Sequence, residues 1–363
     1  MRKTYMYGLS AAAAVFGLVS VAQAQDAITA VSWGGAYTKS QVKAYHEPFT
    51  QKTGIKVNSV DYNGGLAEIK AQVEAGNVSW DIVDIELSDA VKGCDEGLLE
   101  KIDASKLPPA PDGTPADKDF LPGTIADCAI ATIVWSTIYG YDDSKIGDVK
   151  PTTIADFFDT AKFPGKRGMR KSPKSNLEFA LMADGVPADK VYETLATPEG
   201  LDRAFAKLDT IKKDVVWWEA GAQPPQLLAD GEVVMVTAYN GRLFNAAVTE
   251  NKPFVIVWDG QVWDLDLWGI PKGAKNKEAA LEFLAFSTDT QRLADQAAWI
   301  SYGPARNSSI ALIGKHAEAG VEMGPHMPTA PDNFKNALQN DFEFWADNQD
   351  QLNERFNAWL AKG

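Results

Sequence analysis

Between residues 28 and 85 the chain alternates short β-branched runs with amphipathic helical segments, and this alternation limits the possible folds more than any single motif. Residues 28–32 read as a strand. Thr38-Lys39-Ser40-Gln41 has the form of a capping box, opening a helix with Val42, Tyr45 and Phe49 on one face. Pro48 should bend or shorten that helix. Gly54 is placed to end it, residues 55–60 give the next strand, and a helix over 66–75 leads to a third strand over 81–85. A β-α-β-α-β series implies a parallel sheet with ligand sites at the carboxyl ends of its strands.

Residues 103–122, rich in Pro, Asp and Lys, read as a surface excursion. The apolar, β-rich run 129–138 reads as a first crossing between two lobes, since the chain is longer than one core usually serves. Helices are expected near 153–160, 176–184 and 199–212, and strands over 215–218, 233–239, 254–257 and 262–270. A turn at Trp258-Asp259-Gly260 is expected between the last two. From Asn276 the pattern is mostly helical. In the last segment, 341–360, Phe342, Trp345, Leu352, Phe356 and Trp359 recur at helical spacing and read as core packing.

The first 24 residues have the basic start, apolar run and Ala22-Gln23-Ala24 site of a cleaved signal peptide. Gln25 follows that site, so no lipid anchor is implied, and a periplasmic, soluble mature protein is expected. In an oxidising compartment the two cysteines, Cys94 and Cys128, are expected to form one disulfide, with two buried free thiols as the alternative. His46, His316 and His326 are scattered, so neither a metal site nor a cofactor is expected. The chain is 45% hydrophobic with 11 Trp, enough for a large core. Its net charge of −14, made more negative by loss of Arg2 and Lys3, argues against nucleic acid and anionic membranes as partners.

Four stretches put polar or aromatic groups where a cleft would need them. Trp33-Gly34-Gly35-Ala36-Tyr37 follows the first strand. Its paired glycines let a ligand approach the backbone, while Trp33 and Tyr37 either wall an apolar or cationic ligand or belong to the core. Asp84-Ile85-Glu86 ends the third strand, with Glu86 either facing the crevice or solvated. In Tyr239-Asn240-Gly241-Arg242, Arg242 can grip a carboxylate bidentately or form a salt bridge. Strand alternation puts Asp264 and Asp266 on one face of a Trp-rich segment, where two acids call for a cationic partner unless that face is solvated.

The chain resembles the periplasmic spermidine/putrescine-binding family of ABC-transporter substrate-binding proteins. The resemblance runs over Trp33…Tyr37, Phe49-x-x-x-Thr53-Gly54-Ile55-Lys56-Val57, Trp80-Asp81-Ile82-Val83, Gly97-Leu98-Leu99-x-x-Ile102-Asp103, Asn240-Gly241 and Asp266-x-Trp268-x-Ile270-Pro271-x-x-Ala274-Lys275-Asn276. It implies an α/β, two-lobed, type II periplasmic-binding-protein clamp, each lobe a mixed, mostly parallel sheet flanked by helices. Lobe 1 would span 25–139 plus 263–303 and lobe 2 140–262 plus 304–363, with hinges near 138–141, 258–263 and 302–304. The protein would be a monomer that closes on a small amine ligand and docks on an inner-membrane ABC permease.

On this resemblance Trp33 and Tyr37 match an aromatic wall, Asp266 matches an ammonium-binding carboxylate, and Tyr239 stands where a Trp is frequent; Tyr302 borders the cleft. The chain departs from the polyamine pattern where two further acids are expected: it reads Arg170-Lys171-Ser172-Pro173-Lys174-Ser175-Asn176. Ser172 and Ser175 fall nearest those acids. A long cation loses an anchor there, whereas Arg242, helped by Ser172 or Ser175, would hold a carboxylate. Asp266, with Glu86 or Asp264, would hold the amine of a zwitterion such as 4-aminobutyrate, which some relatives bind. The alternatives are a phosphonate receptor using Arg170, Lys171 and Arg242, and an exported enzyme using the paired acids Asp264 and Asp266.

Overall fold

The computed structural model describes Met1 and residues 27–362; the leader and its cleavage site otherwise lie outside the described residues. The strands are β1 (Ala27–Ser32), β2 (Lys56–Asp61), β3 (Ile82–Glu86), β4 (Ala129–Asp142), β5 (Arg167–Arg170), β6 (Val215–Trp218), β7 (Met235–Tyr239), β8 (Phe254–Gly269), β9 (Gly303–Pro304) and β10 (Leu338–Gln339). They form one sheet in the order β2-β1-β3-β8-β4-β7-β5-β6, with β10 on β8 and β9 on β4. The helical crossovers give parallel pairs β1–β2, β1–β3, β5–β6 and β5–β7. At the middle, β8 pairs antiparallel with β3 and β4, and β4 with β7.

The separate lobe sheets expected from the sequence are joined into one, because β4 and β8 run 14 and 16 residues. At about 3.3 Å per residue each reaches on the order of 45–50 Å, long enough to serve two cores. Ile82, Ile85, Val134, Leu265, Leu267 and Phe283 belong to the first core. Tyr139, Phe157, Leu181, Val257, Val262 and Trp345 belong to the second. The changeover falls between Val134 and Tyr139 on β4 and between Val262 and Leu265 on β8.

Two local expectations, the capping box and the turn, are corrected. The first helix begins at Gly35 rather than at a capping box: Gly34 is its N-cap without a side-chain cap, and the Thr38 hydroxyl donates to Asp61. The helix does not end at Pro48 but departs from regular geometry just before it, the kind of distortion expected of a proline. A wider turn over Val42–His46 leads into Glu47–Thr53, so the helix carries on past the residue that lacks an N–H. The turn expected at Trp258-Asp259-Gly260 is strand interior: Gly260 takes φ +72°, so β8 bends without breaking, and the Asp259 carboxylate accepts from the Ile154 amide. The closing helix, Phe342–Leu360, buries Trp345, Leu352, Phe356 and Trp359 as core. No helix among the described residues is long and apolar enough to cross a membrane.

Cys94 and Cys128 are joined, with Cα atoms 5.7 Å apart and a separation of 34 residues. The bond ties the end of helix Leu87–Asp95 to the start of β4. Closing a loop of that length contributes about 3–4 kcal/mol through the unfolded chain. Cys94→Ala/Cys128→Ala should therefore lower the urea midpoint in proportion, with ligand binding retained; an unchanged midpoint would show that the crosslink adds nothing to stability.

Candidate ligand-binding site

The site forms where the two cores meet, at the carboxyl end of β3 and the middle of β4 and β8. Register decides what faces what. Across β3–β8, Glu86 is opposite Asp266 and Asp84 is opposite Trp268. Across β4–β8, Trp135 is opposite Asp264 and Ile133 is opposite Asp266. The loop after β1 adds Trp33, helix Gly35–Gln41 adds Tyr37, the end of β7 adds Tyr239, and helix Asn240–Phe244 adds Arg242.

Trp33, Tyr37, Glu86, Trp135, Tyr239, Arg242, Asp266 and Tyr302 line one cavity of about 20 Å³. Its aromatic walls brace each other edge to face, Tyr37 on Tyr302 at 5.3 Å and Trp135 on Tyr239 at 5.0 Å between ring centroids. That volume holds roughly one water. The lobes are drawn together on it.

The acids here are buried and unequally compensated. Asp266 Oδ1 accepts from Trp135 Nε1 at 2.9 Å. Asp84 accepts from Ser32 Oγ at 3.0 Å and Gln41 Nε2 at 2.5 Å. Asp264 Oδ1 accepts from the Leu265 amide at 2.8 Å, and its Oδ2 has no partner among the described residues. Glu86 alone is fully paired: Lys174 Nζ lies 2.7 Å from Oε2 and Arg170 Nη1 lies 3.5 Å from Oε1. Burial pushes Asp84 and Asp264 up to about 7. It also raises Asp266 well above the usual carboxylate range, reinforced by Asp84, Glu86 and Asp264. Burial acts on Glu86 too, but Lys174 and Arg170 outweigh it and hold that acid below its ordinary value. With Asp89, five carboxyl groups face Arg170, Lys174 and Arg242, so the site holds protonated acids that an entering cation can ionise.

Arg242 crosses between the lobes. Its Nη1 donates to the Gly34 carbonyl at 2.6 Å and its Nη2 to the Trp33 carbonyl at 2.9 Å. Its buried Nε has no partner among the described residues. The paired glycines expected to admit a ligand admit this guanidinium instead, since a Cβ on Gly35 would stand 2.7 Å from Nη1.

Seven of the ten residues singled out from the sequence line the cavity: Trp33, Tyr37, Glu86, Tyr239, Arg242, Asp266 and Tyr302. Asp264 is buried on β8 but outside the lining. Ser172 and Ser175 are not brought to it. Ser172 Oγ accepts from the Lys174 amide at 3.3 Å in an adjoining open groove, and Ser175 Oγ donates to Thr137 Oγ1 at 3.2 Å. The cations invoked for a phosphonate each have their own partner: Arg170 and Lys171 line the open groove, on Glu86 and on Glu219 at 3.0 Å, and Arg242 donates to backbone carbonyls. Sequence reasoning missed Trp135 and Lys174. Trp135 sat inside an apolar run that reads as strand, and Lys174 in a basic loop whose burial nothing local announces.

A two-lobed α/β clamp of type II periplasmic-binding-protein architecture, with an aromatic and charged cavity between its lobes, defines a solute-binding protein. The chain belongs to the bacterial extracellular solute-binding protein family, whose model matches residues 44–329. It is 45% identical over 351 residues, 96% of each chain, to the gamma-aminobutyric acid-binding protein of Pseudomonas aeruginosa. It is 26% identical over 293 residues, 79% of this chain and 80% of the other, to the spermidine/putrescine-binding periplasmic protein of Escherichia coli. Among solved structures it resembles the Atu4243-GABA receptor, at 35% identity and a TM-score of 0.77, covering 93% of this chain and 98% of that one.

Asp84 supplies a pH signature. Its folded-state pKa is raised, so the protein gains stability from holding that proton. The gain is lost as pH rises from the unfolded value near 4 through about 7. Asp84→Asn should therefore flatten the fall in ligand-free stability between pH 5 and pH 8, read by urea denaturation. An undiminished fall in the variant would remove Asp84 as its source.

Proposed function

We propose that the chain is the periplasmic solute-binding receptor of an ABC importer, not an enzyme, and that its ligand is a short zwitterion of the 4-aminobutyrate type. Exported through its cleaved leader, it closes as a monomer about the hinges between lobe 1 (25–139 plus 263–303) and lobe 2 (140–262 plus 304–363). The loaded form docks on an inner-membrane permease. The observation that carries this reading is that Arg242 and Asp266 face one aromatic-walled cavity.

Each part of such a ligand has a counterpart there. The ammonium sits against Asp266, whose buried carboxyl gives up its proton to meet it. The methylenes lie against Tyr37, Trp135, Tyr239 and Tyr302, each contributing about 0.8 kcal/mol on burial. The carboxylate takes Arg242, which exchanges the Gly34 and Trp33 carbonyls for a charged acceptor and turns its unpartnered Nε to use. Because the closed cavity is so small, entry requires the lobes to part and then close on the ligand, which favours the closed form by bridging them. The gamma-aminobutyric acid-binding relative and the GABA-receptor structure support this choice over a polyamine.

Calorimetric titration of the mature, ligand-stripped protein should show micromolar or tighter binding of 4-aminobutyrate. Arg242→Gln and Asp266→Asn should each weaken it on the order of 10- to 100-fold, the worth of a charge-assisted hydrogen bond. Undiminished binding by Arg242→Gln would refute the zwitterion reading. An ammonium favours the ionised acids, so binding should also expel protons from the Asp84, Asp264 and Asp266 cluster. Affinity should then rise from pH 6 to pH 8, with heats that vary with the buffer's ionisation enthalpy; a pH-independent affinity would place the ammonium elsewhere.

A further inference from the structure

Lys174 is a buried lysine, 5% exposed, that the zwitterion reading leaves unused. It stands two residues before helix Asn176–Ala183 in lobe 2 and reaches across to lobe 1. There its ammonium donates to Glu86 Oε2 and to Ser88 Oγ, both at 2.7 Å. Asp264 and Asp89 also face it, as does the Trp345 ring at 5.7 Å. An ammonium on a four-methylene stem, held by a buried carboxylate and a hydroxyl beside an aromatic ring, is the environment a protein would build for one end of a linear diamine. Glu86 lines the same cavity as Asp266 and pairs with it across β3–β8, so the lysine sits next to the position assigned to the ligand's own ammonium.

We propose that Lys174 determines specificity by serving as a tethered second cation: it occupies the Glu86–Ser88 seat and thereby excludes solutes carrying two ammonium groups. This deepens the reading of the cavity as an amine site and rests on it. A diamine entering the native protein would bring its second ammonium against Lys174, which already occupies Glu86 and Ser88, the groups of that seat. Such like-charge contact in a buried site is strongly unfavourable. A zwitterion meets no such conflict, since its far end is an anion directed to Arg242.

The test is calorimetric titration of wild type, Lys174→Ala and Lys174→Arg with putrescine and, separately, 4-aminobutyrate. Wild type and Lys174→Arg should ignore putrescine. Lys174→Ala should bind it, shifting the putrescine-to-4-aminobutyrate affinity ratio on the order of 100-fold or more, two charge-assisted contacts being regained. Removing a buried charge partner can weaken folding, so thermal melting of Lys174→Ala with and without millimolar putrescine is read in parallel. Ligand binding to the native state raises the midpoint even of a marginal variant. A variant that neither binds putrescine nor gains midpoint from it overturns the proposal, as does wild-type protein that binds putrescine equally well. Failure of the 4-aminobutyrate reading shows separately, as silence of wild type toward that ligand.

Discussion

The structure depends on burying more carboxylates than cations at the seam between its two lobes. Asp84, Glu86, Asp89, Asp264 and Asp266 leave water together, and only Arg170, Lys174 and Arg242 come with them. Desolvated like charges cannot all stay ionised, so protons are retained on Asp84, Asp264 and Asp266 while Glu86 keeps its charge through Lys174 and Arg170. A seam of this kind is held under electrostatic tension that an incoming ammonium relieves. The same contacts close the lobes, because Glu86 belongs to one lobe and its two cations to the other.

The backbone makes this arrangement possible. The long strands β4 and β8 run through both cores, placing Trp135, Asp264 and Asp266 midway along them, where neither lobe alone encloses them. The carboxyl ends of β1, β3 and β7, with the helices that follow β1 and β7, converge on that midpoint and deliver Trp33, Tyr37, Glu86 and Arg242. The side chains that line the cavity therefore come from both ends of the sheet.

Much of this was legible in the sequence for identifiable reasons. The β-α-β-α-β start was readable because hydrophobic period and helix stops such as Gly54 are local signals. Trp33, Tyr37 and Asp266 were findable because strand ends and alternation are local too. Pairing between distant strands is not, so Trp135 beside Asp266 stayed hidden, and β8 read as two strands because Gly260 resembles a turn in sequence. Burial of charge is least local of all. Ser172 and Ser175 attracted attention by alignment with missing acids, whereas Lys174 between them reaches the seam, since its long stem carries the ammonium across to Glu86.

The central claim is that one ligand spans Arg242 and Asp266 between aromatic walls. A crystal structure of the mature protein with 4-aminobutyrate tests it most directly. The ligand carboxylate should lie on the Arg242 guanidinium and the ammonium at Asp266, with Lys174 still seated on Glu86 and Ser88. A ligand found in the reverse orientation, or lodged in the open groove beside Ser172 and Trp345, would contradict it.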